Sequence, residues 1–385
     1  MAGTQVQDKD YGINIGEEYQ FYTDKYFLRS KQILEAENID PIVRYQVFTR
    51  ASDTAKGLDE AVDFVKGLKG AGVKVLSLKD GDRFEPNEAL MVLEGRVQNL
   101  VDLETVYLGM ISGGLTGEIS LDDVRKNADE IIMAAEGKPV TYFGARHFHY
   151  SLDGEIGQIC KDVGFSGAAT DVAAKAWGKE GVGTIPHALI LSVDAYARTN
   201  RHLVNPTGFA ALLFDKHMDK EIPRIVLIDT YNREVSDSIA VSNLLEESMN
   251  GIRLDTCGEN VMEGSADVQI PELDVPDKYL KGNGVTIQGV WHTRKSLIDA
   301  GKEDIDIVAS SGFNQDKTRA FMQADKVFSE MYGSPLFHSI GTGSIAKPVM
   351  ATSDIVSYFN ESEERWEPLS KVGRGYRENK RLEER

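Results

Sequence analysis

Between residues 140 and 340 the chain alternates short apolar runs with longer segments of helical character, and nearly every apolar run ends in a polar cluster. The runs cover residues 140–143, 164–168, 184–191, 224–229, 251–255, 306–309 and 336–340. Most are largely apolar, as strands covered on both faces are. Alternation of this kind implies parallel βα units. Seven units in about 200 residues suit an irregular (β/α) barrel, and an open doubly wound sheet fits the same alternation. The reading is therefore α/β, with the barrel and the open sheet both standing at this point.

The first third of the chain has a different texture. Residues 58–68 have helical apolar spacing, residues 73–78 and 89–93 read as strands, and DGDRFEPNE between them is turn chemistry. Residues 100–111 are apolar on too many sides for a surface helix, so a buried connecting helix is expected, ended by Ser112-Gly113-Gly114. Residues 122–135 form an amphipathic helix by spacing. No internal repeat is visible. The last stretch, KVGRGYRENKRLEER from Lys371, reads as a frayed tail or a basic contact strip, and the charge run favours the tail.

Composition excludes several classes. The chain has 385 residues and a net charge of −18, which argues against a nucleic-acid partner because such binding needs a basic footprint. No stretch approaches the roughly 18–20 apolar residues of a membrane span. The opening MAGTQVQDKD has no apolar core of a secretory signal, so a cytoplasmic location is expected. Two cysteines, Cys160 and Cys257, are too few and too far apart for a disulfide framework or a zinc site. There is no GxGxxG fingerprint, no P-loop and no HExxH.

In either α/β architecture chemistry gathers at the carboxyl ends of the strands. There the sequence offers Arg146, His147 and His149; Thr170 and Asp171; Asp229, Thr230 and Tyr231; Arg253, Asp255 and Thr256; Ser310, Ser311, Gly312 and Asn314; and Gly341, Thr342, Gly343 and Ser344. Pro186 and His187 fall inside the third run. Arginines make charge-assisted, bidentate bonds to phosphate and carboxylate. Gly-Thr-Gly-Ser after a late strand exposes backbone N–H groups to a phosphate, with Ser-Ser-Gly as the other half of a cradle. Asp229 and Asp255 suit ribose hydroxyls or Mg²⁺. Each piece has an ordinary counterpart: a turn for Gly-Thr-Gly, a helix cap for Asp or Ser, and a core histidine for His187. Repetition across strands is what favours a site.

In order along the chain, these segments resemble nicotinate phosphoribosyltransferase, a type II phosphoribosyltransferase, in its compact archaeal and bacterial form. Tyr22-Thr23-Asp24-Lys25-Tyr26-Phe27 is similar to that family's opening Thr-Asp-x-Tyr segment, and Leu103-Glu104-Thr105 to its Glu-Thr helix. Phe143-Gly144-Ala145-Arg146-His147 resembles the Gly-x-Arg-Arg signature, with His147 in place of the second arginine. Ile185-Pro186-His187-Ala188, Ile228-Asp229-Thr230-Tyr231 and the run 251–256 resemble further signatures. Ser310-Ser311-Gly312-Phe313-Asn314 and Gly341-Thr342-Gly343 resemble the phosphate cradle.

The resemblance implies an α/β domain over residues 1–115, with 350–385 returning to it, and an irregular (β/α) barrel over 116–349. It implies a homodimer whose active site is completed by the neighbour's Tyr22, Asp24 and Tyr26. The implied reaction joins nicotinate to phosphoribosyl pyrophosphate, with Mg²⁺ on the diphosphate and ATP hydrolysis coupled through a phosphohistidine at His187, held by Asp229. Arg146 and His147 would hold the nicotinate carboxylate or the 5′-phosphate region, with Thr170 nearby. Arg253 and Asp255 would hold the sugar-phosphate, and Asp255 is the one candidate for a metal contact. Ser310, Ser311, Gly312, Gly341, Thr342 and Gly343 would take the 5′-phosphate. Some archaeal relatives carry a cysteine-ligated zinc module, which two cysteines cannot build. Alternatives are a nicotinamide enzyme, with Asp162 accepting from the amide, a quinolinate enzyme, and a non-catalytic ligand-binding relative.

Overall fold

A computed structural model of the chain describes residues 15–385; the opening MAGTQVQDKD lies outside them. Two six-stranded sheets organise the molecule. The first is antiparallel. From edge to edge it runs Arg365–Pro368, Ala351–Asn360, Ile42–Thr49, Ala89–Arg96, Val73–Ser77 and Glu383–Glu384. The second is parallel, in the order Gly167–Ala168, Val140–Tyr142, Ser339–Thr342, Asp306–Ala309, Met249–Leu254 and Arg224–Leu227. Helices follow most of these strands, as crossover connections between parallel strands require. Gly167–Ala168 and Arg224–Leu227 stand at opposite edges, so the curled parallel sheet is an irregular barrel left open on one side.

The helices obey local rules. Ser120 accepts the N–H of Asp123 and so caps Leu121–Ala134, whose Val124, Ala128 and Ile131 are buried at three- and four-residue spacing. Asn314 caps Gln315–Tyr332 by accepting from Lys317 N. The helix Glu104–Thr116 is buried along most of its length and packs against the helix Leu58–Lys69 and the strand Ala351–Asn360. It reaches past Ser112-Gly113-Gly114, where the sequence predicted an end. Those glycines are points of close approach: a Cβ on Gly114 would stand 2.7 Å from the Lys56 carbonyl carbon.

Two expectations about elements are corrected. The run 184–191 is not a strand. Pro186 is an N-cap, and His187 opens the helix His187–Thr199, with Ala188, Leu189, Ile190 and Leu191 all buried. A short apolar run fits a buried helix as well as a buried strand. The segment after Lys371 is not a frayed tail. Lys371 and Arg374 are 4% and 9% exposed. Further on, Arg377 N donates to Gln46 Oε1, and Arg385 pairs with Asp59 at 2.8 Å. Among the described residues, no helix is long and apolar enough to cross a membrane.

Gly57 joins two constraints. Its φ is +77°, and a Cβ there would lie 2.3 Å from the Met110 carbonyl oxygen of the buried helix. Left-handed backbone costs an L-residue about 1–2 kcal/mol, and a clash against backbone adds to it. Gly57→Ala is expected to lower stability by about 2 kcal/mol or more, read by denaturant unfolding, whereas Gly81→Ala, where φ is positive but space is open, loses only the conformational part.

Candidate active site

The carboxyl ends of the parallel strands face the strand Ala351–Asn360 and the C-terminal segment across a cavity of about 400 Å³. Of the residues singled out in sequence, Asp24, Tyr26, Arg146, His147, His187, Arg253, Asp255, Ser310, Ser311, Gly312, Gly341, Thr342 and Gly343 line it together. Asp229 lies directly behind, fully buried, with Oδ2 3.7 Å from His187 Nε2.

One wall is backbone. Ser311 and Gly312 follow the strand Asp306–Ala309 with φ of +73° and +70°. Successive residues turned this way leave main-chain N–H groups available to an anion. Lys317 Nζ donates to the Ser311 carbonyl at 2.7 Å from the helix behind, and burial pushes its pKa down to about 7. The facing loop carries Gly341 and Gly343. A Cβ on Gly343 would meet Gly144 Cα and the His147 ring at 2.5 Å, so a side chain there would close the gap between the two loops. Thr342 Oγ1 donates to the Phe313 carbonyl at 2.7 Å and ties the halves of the wall together.

The floor is aromatic and cationic. The Tyr26 ring has guanidinium carbons of both Arg146 and Arg253 5.7 Å from its centroid. Arg253 also lies 5.8 Å from the centre of Phe143. Arg146 is held by two buried carboxylates: Nη1 donates to Glu104 Oε1 at 2.7 Å and Nη2 to Asp24 Oδ2 at 3.0 Å. Burial, with Asp354 and Asp24 nearby, pushes the Glu104 carboxyl well above the usual range. Burial also raises the Asp255 carboxyl, but Arg253, Lys371 and the Ser310 hydroxyl at 2.9 Å outweigh it, and the net shift is downward.

His147 does not replace the charge of an arginine. Its Nδ1 donates to the Gly343 carbonyl at 3.0 Å, and burial lowers its pKa to about 4. At neutral pH it is a neutral donor that braces one loop on the other. His187 is neutral as well: burial, then Lys371, Arg253, Arg374 and Arg146, hold it well below the usual imidazole value.

Asp24 and Tyr26 line the cavity of their own chain, and Tyr22 packs edge-on against Tyr150, with ring centres 5.3 Å apart, outside the lining. Other expectations are corrected by position. Thr170 is a fully buried helix cap whose hydroxyl donates to Asp153. Asp162 sits on the surface against Arg125 and Gln158, so it has no pyridine ring to read. Asp229 does not hold His187; the Thr230 hydroxyl does, at 3.0 Å from Nδ1, and Asp229 pairs with Lys371 instead.

Sequence reasoning missed Lys371, Arg374, Arg50 and Asp354, all of which line the cavity. Arg374 is a buried cation whose Nε and Nη1 have no hydrogen-bond partner, and its nearest carboxylates, Asp354 and Glu259, stand at 3.6 Å. Its position suits an anion. Among the described residues no group of three or more His, Cys, Asp or Glu is arranged to hold a metal ion. Asp255, beside the backbone wall, is a single carboxylate, which fits Mg²⁺ only where ligands from elsewhere, such as phosphate oxygens, complete its shell.

Burial of neutral His147 has a stability consequence. The unfolded imidazole takes up its proton near pH 6.5, whereas the folded one does so only near pH 4. Stability is therefore expected to fall as pH drops through that window, with no further contribution below it. His147→Gln should flatten that slope in urea unfolding series run at pH 7, 6, 5 and 4, leaving the part that belongs to His187.

Residues 24–113 match the family described as quinolinate phosphoribosyl transferase, N-terminal domain. A nicotinate phosphoribosyltransferase of Mycobacterium tuberculosis is 24% identical over 339 residues, covering 79% of this chain and 63% of that protein. The chain thus spans just under two thirds of the length of this curated relative. Its fold is similar to the crystal structure of nicotinate phosphoribosyltransferase from Vibrio cholerae, at a TM-score of 0.61 and 12% identity, over 90% of this chain and 89% of that one. It is likewise similar to the enzyme from Porphyromonas gingivalis, at a TM-score of 0.56 and 14% identity, over 92% and 94%. At such identities the likeness is one of fold. In sequence and in fold alike, the chain resembles the nicotinate phosphoribosyltransferases.

Proposed function

We propose that the chain is a nicotinate phosphoribosyltransferase of NAD salvage, joining nicotinate and phosphoribosyl pyrophosphate into nicotinate mononucleotide and pyrophosphate. The observation that carries this reading is a single cavity in which an aromatic floor, flanked by Arg146 and Arg253, adjoins a Ser-Gly and Gly-Thr-Gly backbone wall. A flat anionic ring suits the floor, and a 5′-phosphate suits the wall.

The chemistry at C1′ passes through an oxocarbenium-like state, so the work is orientation and charge stabilisation. Tyr26 and Phe143 hold the pyridine ring with its nitrogen toward C1′. Arg146, steadied by Glu104 and Asp24, offers its remaining donor edge to the nicotinate carboxylate. Asp255 accepts from the ribose hydroxyls. Arg253 and Arg374 take the leaving diphosphate. Asp255 would hold a Mg²⁺ arriving on that diphosphate, and the ion would neutralise part of its charge. Neutral His187 is the acceptor of a phosphoryl group from ATP, which couples hydrolysis to the transfer.

A quinolinate enzyme is the second reading. It is favoured by the cationic side chains Arg50, Arg146, Arg253, Lys371 and Arg374 in one cavity and by the family match of residues 24–113. Most of that charge is already engaged: Arg50 with Glu259, Arg146 with Glu104 and Asp24, Lys371 with Asp229. The surplus suits one carboxylate and a diphosphate better than two carboxylates.

Nicotinate, nicotinamide and quinolinate, each with phosphoribosyl pyrophosphate and Mg²⁺, with and without ATP, distinguish the readings by mononucleotide formation. Product from nicotinate, faster with ATP, is expected. Arg253→Met should lower kcat/KM by about 100-fold to 1,000-fold, as loss of one charge-stabilising donor does. His187→Asn should abolish the ATP increment. Turnover of quinolinate with CO₂ release would replace the reading by the second, and turnover of none of the three would remove both.

A further inference from the structure

Each ring nitrogen of His187 has one partner. Nδ1 lies 3.0 Å from Thr230 Oγ1, and Nε2 lies 2.9 Å from Lys371 Nζ. An ammonium has three donors and no acceptor. Lys371 donates to His187 Nε2 and to the backbone carbonyl of Asp255 at 3.0 Å, and its charge is paired with Asp229 Oδ2 at 2.6 Å. Both ends of that last pair are buried, at 4% and 1% exposure. A donor facing Nε2 makes Nε2 the acceptor nitrogen, so the ring proton stands on Nδ1 and is donated to Thr230. The opposite tautomer has a ready alternative: its Nε2–H would face Asp229 Oδ2 at 3.7 Å and Asp255 Oδ2 at 3.9 Å. The lysine is what decides between them, and it reaches this histidine from 184 residues further along the chain.

We propose that Lys371 is the positioning residue of His187, holding it as the Nδ1–H tautomer so that the Nε2 lone pair is the one presented for phosphoryl transfer. The transfer half rests on the reading of His187 as acceptor from ATP. In that step the Nε2 lone pair forms the bond to the γ-phosphorus. The bond from phosphorus to the β,γ-bridging oxygen breaks, and ADP leaves with that electron pair. Nδ1 keeps its proton and its bond to Thr230. The Lys371 N–H released from Nε2 turns to a phosphoryl oxygen as a hydrogen-bond donor, with no proton transferred. With Lys371 gone, the Nε2–H tautomer carries a proton where phosphorus must bind.

The test uses full-length protein labelled with ¹⁵N-histidine, first without ATP. The His187 imidazole resonances are assigned by their loss in H187N. The expected wild-type spectrum has a protonated Nδ1 and an unprotonated Nε2. Lys371→Met leaves Asp229 buried without its partner and can fail to fold, so the double variant K371M/D229N, which removes both charges, is measured beside it, with thermal unfolding as the check on folding. In whichever folds, the His187 signals are expected to move to the Nε2–H pattern or to average between the two. Label taken up from [γ-³²P]ATP should fall about 100-fold. An Nε2–H wild type overturns the proposal, as does a folded K371M/D229N with the wild-type tautomer and full labelling. If the wild type takes no label, or H187N takes as much, the acceptor reading and the transfer half fall together, while the ATP-free spectra still decide whether Lys371 sets the tautomer.

Discussion

The strand Ile42–Thr49 lies between Ala89–Arg96 and Ala351–Asn360, and its pairing with the latter runs from Val43 against Tyr358 to Thr49 against Ala351. This contact between the two ends of the chain is the one on which the site depends. It fixes the strand Ala351–Asn360 opposite the carboxyl ends of the parallel strands, and that strand supplies Thr352, Ser353 and Asp354 to the cavity. It then sends residues 371–374 across the opening, where Lys371 meets His187, Asp229 and Asp255. Without that pairing the parallel sheet keeps its Ser-Gly and Gly-Thr-Gly wall but has no opposite side.

A chain with a net charge of −18 that gathers cations in one cavity must hold them there against the pull of its own carboxylates. Here it does both by burial. Arg146, Arg253, Lys371 and Arg374 converge on one cavity, and each lies near at least one carboxylate. The carboxylates fix where the cations stand; burial, and then the cations, keep His187 neutral. The site is therefore a balanced array in which few charges are free, and an incoming anion competes with groups already in place. Breaking one member of such a buried array costs about 3–5 kcal/mol, because the partner is left uncompensated.

Much of this was legible where chemistry is local. The run 306–309 is the strand Asp306–Ala309, and the runs at 140, 224 and 251 lie within a few residues of observed strands. Polar clusters at those strand ends are the ones gathered in the cavity. The illegible parts are set by distant contacts. Ile42–Thr49 is interrupted by Arg44 and Gln46, which break a simple apolar pattern. Arg44 is satisfied by Glu94 across the sheet, and Gln46 accepts from Arg377 N. The run 184–191 carries no internal sign that Pro186 caps a helix rather than ending a strand. Lys371 and Arg374 sit in a charge run that reads as solvated, and only the buried Asp229 and Asp354 opposite them make it a wall.

The pairing of Ile42–Thr49 with Ala351–Asn360 also sets an order of assembly. Contacts across some three hundred residues form late, because the loop they close is long. During synthesis the parallel sheet can be complete once the strand Ser339–Thr342 has left the ribosome, yet Ile42–Thr49 still shows an unpaired edge on the side that Ala351–Asn360 will cover. An exposed edge of this kind is a template for pairing with another chain. Completion of the cavity and protection of that edge thus arrive in one event, and a nascent chain that has not yet made Ala351–Asn360 has the Ser-Gly and Gly-Thr-Gly wall without its cover.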